Sequence, residues 1–232
     1  MDYLPIFFKI KNQSCLVIGG GEIAFRKINL LLKAEAKVTC VATNCCANIE
    51  EIAKKNKITY INKEFDSRDI NNHRLIISAT DNSLLNKEIS KLANAANIPV
   101  NVVDSPELCS FIMPSIVDRH PIVIAISSAG KAPVLARLIR SKLEGTIPHA
   151  YGKLAELAGA FRGKVKKKFD NIEDRRHFWE KVFSGVIAEK VFSGKLNEAR
   201  LDLESQLKDS KPTKLGEVYL VGGGPGDPDL LT

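Results

Sequence analysis

The sequence has no apolar run that approaches the roughly 20 residues needed to cross a bilayer as a helix. Its first residues, MDYLPIFFKIKNQS, lack both the basic stretch and the long apolar core of a secretory signal peptide. We therefore expect neither a membrane anchor nor secretion, and we predict a cytoplasmic protein.

Paired cysteines and clustered histidines are also missing. The five cysteines contain no C-x-x-C motif, and their odd number gives no disulfide framework, which is typical of reduced thiols in a cytosol. The four histidines, His73, His120, His149 and His177, are dispersed along the chain. They do not have the spacing of a metal site, so no permanently held metal is predicted.

Aromatic residues are few, with a single tryptophan, and no basic segment is interleaved with aromatics. Nucleic acid is therefore disfavoured as a partner. The net charge of +7 falls mainly on residues 111–181, where 14 Lys and Arg accompany 7 Asp and Glu. This basic field favours a polyanionic small molecule, although the run at 164–168 (KVKKK) is equally typical of a solvated helix face.

Short apolar runs alternate with helical patterns between residues 15 and 104. Strands are predicted at 15–18, 37–41, 58–61, 75–79 and 100–103, and helices at 23–33, 47–55 and 84–96. This βαβ rhythm predicts an α/β fold with a Rossmann-type, doubly wound parallel sheet and right-handed crossovers.

The rhythm changes after residue 104. A strand pair is predicted at 111–113 and 122–127, and a helix is predicted to open at Pro133, since proline suits the first helical turn. Residues 149–207 are helical and highly charged in pattern. The sheet is thus expected to be followed by a small α+β segment and a helical domain.

A glycine-rich loop, GGGEIA, follows the first predicted strand and matches G-x-G-x-x-[G/A]. Gly19 permits a tight turn, Gly21 allows a pyrophosphate to approach the backbone, and Ala24 allows close helix packing. The helix start at Glu22 and Ile23 offers free N–H groups to an anion. The loop predicts dinucleotide binding, with an ordinary tight turn as the alternative.

The second predicted strand lacks the acidic residue that usually binds the ribose of NAD. Thr43 and Asn44 stand there instead and can hydrogen-bond the ribose hydroxyls. The choice between NAD and NADP is therefore open from the residues alone.

The ends of the fourth and fifth strands offer further candidate residues. Thr80, Asp81, Asn101 and Val102 are predicted to face the nicotinamide region, because ligands of open α/β sheets bind at the carboxyl ends of the strands. The alternative for Asp81 is that it caps the next helix.

Asp104 comes directly after a buried strand and before Ser105 and Pro106. It is interpreted either as a turn-forming residue or as a partly buried general base. Ser127 and Ser128, with Gly130 close behind, either bind a carboxylate or phosphate or supply the N-cap of the helix at Pro133.

Taken together, these motifs resemble bacterial siroheme synthase over essentially the whole chain. The matching motifs are GxG at 19–21, ATD at 79–81, NVVD at 101–104, SFIMPS at 110–115, SSxG at 127–130, PVLARL at 133–138 and RRHFWE at 175–180. SFIMPS and NVVD are far more specific than the glycine loop.

The resemblance implies NAD-dependent oxidation of precorrin-2 to sirohydrochlorin, followed by insertion of ferrous iron to give siroheme. One carboxylate between cofactor and macrocycle can serve both steps, and Asp104 is the candidate catalytic residue, with iron passing transiently near it. Ser128, Gly130 and Met113 are expected at the tetrapyrrole. Ser128 is also implied as a phosphorylation site. Family members are homodimers that interlock through the segment after the Rossmann domain.

The end of the sequence, VGGGPGDPDLLT, resembles the first strand and loop of a tetrapyrrole methyltransferase module. Pro225 matches the proline at the S-adenosylmethionine site of that module. The rest of the module is not in this sequence, so methyl transfer is expected of a full-length protein and not of this chain alone.

The expected organisation has five parts. They are a Rossmann domain at 1–110, a dimerisation and substrate segment at 111–148, a helical domain at 149–208, a linker at 209–217 and the methyltransferase start at 218–232. Two alternatives keep the same fold: a dehydrogenase that leaves chelation to a partner, and a module that binds dinucleotide or tetrapyrrole without turnover.

Overall fold

The computed structural model describes residues 2–210, which form two compact units. The first unit extends to Ile116 and also includes Ala125–Ser141. The second comprises Val117–Ile124 and the chain from Lys142 onward. The predicted linker, the segment 218–232 and Pro225 lie outside the described residues, apart from the first two linker positions.

The first unit contains a five-stranded parallel sheet with the order β3-β2-β1-β4-β5. Its strands are β1 (Ser14–Ile18), β2 (Lys37–Ala42), β3 (Thr59–Asn62), β4 (Leu75–Ser78) and β5 (Val100–Val102). Its crossover helices are α1 (Glu22–Lys33), α2 (Ala47–Lys54) and α3 (Ser83–Ala95). The predicted doubly wound α/β class is confirmed, with element ends within one residue of the prediction.

Alternation along β1 explains the two layers of helix. Val17 points into a core that contains Ile28 of α1 and Ile49 of α2, whereas Leu16 points into a second core that contains Ile89 of α3. Successive side chains of a strand face opposite sides of the sheet. Because residues 15–18 of β1 are buried on both faces of the sheet, helices must cover both faces.

The chain then forms a two-stranded sheet from β6 (Ser115–Arg119) and β7 (Ile122–Ile126). The predicted strand at 111–113 is wrong, because Phe111 and Met113 pack against the core of the parallel sheet instead of pairing. The Phe111 carbonyl accepts a hydrogen bond from the Asn101 side chain at 3.0 Å. Pro114 has no N–H for a ladder, and the strand begins after it.

Helix α4 (Pro133–Thr146) opens at the predicted proline. Only Ala136 is buried along it, whereas four large apolar side chains are exposed. These are Val134, Leu135, Leu138 and Ile139.

Helices build the rest of the second unit: α5 (Ala150–Lys168), α6 (Ile172–Ser184), α7 (Val186–Phe192) and α8 (Leu196–Asp209). They share one apolar core, in which Leu157, Val182 and Leu203 are almost fully buried. The predicted helical character of 149–207 is confirmed. Within residues 2–210, no helix has the length and apolar character needed to cross a membrane.

Candidate active site

A cleft of about 790 Å³ opens at the carboxyl edge of the parallel sheet in the first unit. The loops after β1, β2, β3 and β4 line it, and they contribute the glycine-rich turn, Thr43 and Asn44, Lys63 and Glu64, and Thr80 with its neighbours. This is the edge at which open α/β sheets bind their ligands. Its volume lies within the range of about 300–1,000 Å³ of small-molecule sites.

Gly19 makes the turn out of β1 in a backbone conformation that favours glycine, with φ of +118°. Its N–H donates to the Val41 carbonyl at 3.0 Å. A Cβ at this position would lie 2.2 Å from the Ala79 carbonyl oxygen. The tight turn predicted at Gly19 therefore requires glycine, both for its backbone conformation and for the lack of space for a side chain.

The middle glycine is more confined still. A Cβ on Gly20 would lie 1.8 Å from the Asn44 carbonyl oxygen, and the Gly20 carbonyl accepts from the Cys46 N–H at 2.8 Å. The Gly20 carbonyl thus links the loop after β1 to the loop after β2. The motif assigns this position no role, so sequence reasoning missed it.

Gly21 differs from both neighbours because a Cβ there would meet no protein atom within 4 Å. It is the N-cap of α1 and makes no side-chain cap hydrogen bond. Glu22 follows it, with its carboxylate 3.2 Å from the Asn48 amide nitrogen. The uncapped N–H groups of the first turn and the open space above Gly21 fit a bound pyrophosphate.

A smaller cleft of about 250 Å³ adjoins the larger one. The two share Ile23, Ala79, Thr80 and Asp81 as a common wall, and Asp104 lines the smaller cleft on its other side. A ligand that extends from the glycine loop past Thr80 therefore comes to the Asp104 side of the sheet edge.

Asp104 stands in a turn in which the Ser105 N–H donates to the Val102 carbonyl at 3.3 Å. Its φ of +60° lies in the left-handed region, which costs of order 1 kcal/mol or more for a residue with a Cβ. The prediction of partial burial is wrong, because this turn leaves Asp104 exposed. Asp104 is both turn-forming and cleft-lining.

The thiol of Cys109 stabilises this turn through hydrogen bonds to its backbone. Its Sγ accepts from the Val102 N–H at 3.1 Å and lies 3.1 Å and 3.3 Å from the Val102 and Ser105 carbonyl oxygens, to which it can donate. Burial raises the pKa of Cys109, against the effect of the Val102 N–H, so the thiol keeps its proton for donation. The sequence analysis predicted only that Cys109 is one of five reduced cysteines.

Lys27 lies one helical turn beyond Ile23 on α1, at the (i, i+4) position of the same face. Burial is the main cause that lowers the pKa of Lys27; nearby Arg26 lowers it further, while Asp104 opposes the shift. The half-buried ammonium thus interacts with the candidate base at the end of β5.

The alternative that Asp81 caps α3 is wrong. Asn82 is the N-cap, and its Oδ1 accepts from the Leu84 and Leu85 N–H groups, each at 3.1 Å. Asn82 thus accepts from the first N–H groups of α3, and Asp81 is not needed there. The exposed Asp81 lines both clefts instead.

Asn86 of α3 secures the end of β4. Its Oδ1 accepts from the Ser78 hydroxyl at 2.7 Å and from the Thr80 hydroxyl at 3.1 Å, and its Nδ2 donates to the Thr80 carbonyl at 3.0 Å. Asn86 also lines the smaller cleft. A polar residue on the buried face of a helix is the sequence signal that could have revealed it.

We expect Asn86→Ala to lower the free energy of unfolding by about 1–3 kcal/mol, because the fully buried Ser78 hydroxyl would lose its acceptor. Urea titration of the 232-residue chain measures the change. The control is Lys87→Ala on the exposed side of α3, where a change within about 0.5 kcal/mol is expected. Equal effects of the two substitutions would contradict a stabilising role for the Asn86 network.

Comparison with known families divides the chain into three matched segments. Residues 6–115 match an NAD(P)-binding family, residues 119–146 match the central region of sirohaem biosynthesis proteins, and residues 150–207 match the sirohaem synthase dimerisation region. The glycine-loop cleft lies within the NAD(P)-binding segment.

Curated relatives match all 232 residues. The siroheme synthase of Ruthia magnifica subsp. Calyptogena magnifica is 70% identical and that of Pseudoalteromonas translucida is 52% identical, each with 100% of this chain aligned to 49% of the relative. Over its whole length the chain is thus similar to siroheme synthases. It spans about half the length of the curated relatives it matches.

A solved structure is also similar. It is that of SirC, a precorrin-2 dehydrogenase, with a TM-score of 0.73 and 22% identity over 90% of this chain and 100% of that one. At this identity the match establishes the fold, in agreement with the parallel sheet described above.

Three residues predicted at the site lie away from both clefts. Asn101 and Val102 are buried in β5, where the Asn101 amide donates to the Phe111 carbonyl, and Met113 packs against the sheet core. All three residues therefore contribute to packing. Side chains within a strand project to the two faces of the sheet. Asp104 follows the end of β5 and lines the smaller cleft, whereas Asn101 lies within the strand and does not.

Ser128 and Gly130 lie in the loop between β7 and α4, outside both clefts. The Ser128 hydroxyl accepts from the Ala132 N–H at 3.0 Å, which satisfies a donor at the start of α4, and Gly130 has φ of +79°. Ser128 is half-buried. The helix-capping alternative thus describes the contact that Ser128 makes.

Proposed function

We propose that this chain oxidises precorrin-2 to sirohydrochlorin with NAD⁺ and then inserts ferrous iron to give siroheme. The observation that carries the proposal is the common wall of Ile23, Ala79, Thr80 and Asp81, because it joins a dinucleotide-sized cleft to a second cleft lined by Asp104. The similarity to siroheme synthases and the NAD(P)-binding match support the same reaction.

The proposed cofactor contacts follow the larger cleft. Gly21 and the first-turn N–H groups at Glu22 and Ile23 would hold the pyrophosphate. Thr43 and Asn44 would hydrogen-bond the adenosine ribose.

At the other end of the cleft, Thr80 and Asp81 would border the nicotinamide. Bound NAD⁺ supplies the hydride acceptor. The residues of the chain must then position the macrocycle and take up a proton.

Asp104 is the proposed proton acceptor. Dehydrogenation removes one hydride and one proton from precorrin-2, and the carboxylate takes that proton. Insertion of Fe²⁺ releases two pyrrole N–H protons, and the same carboxylate can accept these in turn. Iron is a substrate here, and within residues 2–210 no three His, Cys, Asp or Glu side chains form a metal site.

The basic field of 111–181 would attract the carboxylates of the tetrapyrrole. Ser128 and Gly130 are proposed on the substrate side. A phosphate on Ser128 would add about −1.5 to −2 charges and so weaken binding of the anionic macrocycle.

A homodimer is the proposed assembly. The match of 150–207 to a dimerisation region supports it, as do the exposed apolar side chains of α4, which a second copy can cover. A longer protein containing this chain would add S-adenosylmethionine-dependent uroporphyrinogen-III methylation, with Pro225 in its cofactor loop.

The direct test combines purified 232-residue chain, precorrin-2 and NAD⁺. We expect sirohydrochlorin and NADH, both followed by absorbance, to form together in equal molar amounts. Normal NAD⁺ binding without turnover would contradict the enzyme and favour the binding module.

Iron insertion is tested separately with supplied sirohydrochlorin and Fe²⁺. Formation of siroheme faster than in a protein-free control is expected. Oxidation without iron insertion would identify a single-function dehydrogenase.

A further inference from the structure

The adenosine end of the larger cleft combines groups of opposite charge. Thr43 and Asn44 follow β2, and Lys63, Glu64 and Phe65 follow β3. A cation near the second strand commonly accommodates the 2′-phosphate of NADP, whereas an acid there binds the ribose 2′-hydroxyl of NAD. Lys63 by itself would favour NADP.

Lys63 is held by another group, however. Its Nζ lies 2.5 Å from Asp69 Oδ1, and the two side chains are 39% and 14% exposed. The Asp69 carboxylate is fixed in turn, because its Oδ2 accepts from the Asp66 N–H at 2.8 Å in the capping box of the 3₁₀ turn Ser67–Ile70. The Lys63 ammonium is therefore paired with a carboxylate that a backbone hydrogen bond holds in place.

Glu64 adds a second negative charge. It is exposed, lines the cleft and has no ion pair among the described residues. Lys63, Glu64 and Asp69 together carry one net negative charge. The nearby Arg68 is also paired, with its Nε 2.7 Å from Asp66 Oδ1.

We infer that Asp69, by holding Lys63 in an ion pair beside Glu64, excludes the 2′-phosphate of NADP⁺ and makes the cleft select NAD⁺. A 2′-phosphate carries about −1.5 to −2 charges and would face a net negative surface. The 2′-hydroxyl of NAD⁺ carries none and can bond to Thr43 or Asn44. The inference rests on the proposed function, since it assigns the determinant of cofactor choice at the same cleft.

The test is calorimetric titration of the 232-residue chain with NAD⁺ and NADP⁺ at low, constant ionic strength. We expect wild type to bind NAD⁺ at least about tenfold more tightly. Asp69→Asn keeps an oxygen for the Asp66 N–H but removes the charge, so NADP⁺ affinity should rise about tenfold while NAD⁺ affinity changes little. Glu64→Gln, on an exposed side chain, should shift the preference in the same direction.

Two variants complete the design. Adding Lys63→Met to Asp69→Asn should abolish the gain for NADP⁺, because the released ammonium provides it. Glu35→Gln removes a carboxylate from an exposed pair with Lys11, 2.8 Å apart and before β2, and should leave the preference unchanged.

An unchanged preference in Asp69→Asn, or a gain that survives Lys63→Met, would overturn the inference. Equal wild-type affinities for the two dinucleotides would overturn it too. Absence of binding by either dinucleotide would instead refute the proposed function, and the inference with it.

Discussion

Asp104→Asn is expected to reduce the rate of precorrin-2 oxidation by about 10²- to 10⁴-fold, the usual contribution of a general base. Asparagine tolerates the left-handed backbone at φ +60° and has nearly the same shape, but it cannot accept the proton. NAD⁺ affinity should stay unchanged, because Asp104 does not line the larger cleft. Steady-state rates and NAD⁺ titration measure the two quantities.

The matched control is Glu107→Gln. Glu107 is an exposed acid in the next turn of chain and lines neither cleft, so it should leave the rate within about twofold of wild type. Wild-type oxidation by Asp104→Asn would remove Asp104 from the mechanism. Loss of NAD⁺ binding by that variant would indicate a collapsed turn instead of a missing base.

Iron insertion by the same variant addresses whether one carboxylate serves both steps. If Asp104 accepts the pyrrole protons, Asp104→Asn loses siroheme formation from supplied sirohydrochlorin as well. If Asp104→Asn still inserts iron, oxidation and chelation depend on different residues.

The second large effect is expected at the glycine loop. Gly20→Ala should destabilise the chain by about 3 kcal/mol or more, because its Cβ would lie 1.8 Å from the backbone oxygen of Asn44 and one of the two loops must move. Gly21→Ala should change stability by less than about 1 kcal/mol, since its φ of −81° suits alanine and no protein atom is near.

Binding should show a different pattern. Gly21→Ala should weaken NAD⁺ affinity about tenfold or more, because the new methyl group occupies the space through which a pyrophosphate reaches the helix start. Thermal unfolding and NAD⁺ titration of both variants provide the comparison. A stable Gly21→Ala variant with normal NAD⁺ affinity would mean that the dinucleotide does not use this loop.

The parallel sheet was predictable because its signals are local. Apolar runs such as those of β1 and β4 are buried on both faces and leave no other placement, and glycine at position 19 marks the turn. The edge at which ligands bind follows from strand direction alone. Gly19, Gly21, Thr80 and Asp104 were therefore predicted at the clefts that they line or border.

The supports of the site were not predictable in the same way, because each depends on a partner that only folding brings close. The Asn86 amide meets Ser78, the Cys109 thiol meets Val102, and the Lys63 ammonium meets Asp69. Position 111–113 was assigned to a strand because an apolar run does not reveal whether it pairs or packs. Of the two interpretations of Asp104, the turn was right and the partial burial was wrong, because the left-handed conformation that exposes the side chain has no sequence signal.

The hydrogen bonds of Asn86 have a consequence for the thermodynamics of ligand entry. Since Ser78 and Thr80 are already fixed to α3 in the free chain, an incoming molecule need not immobilise that part of the wall. The entropy of ordering it is lost during folding and not during association. Less of the intrinsic affinity is then spent on ordering the receptor, because this part of the wall is already ordered before a ligand binds.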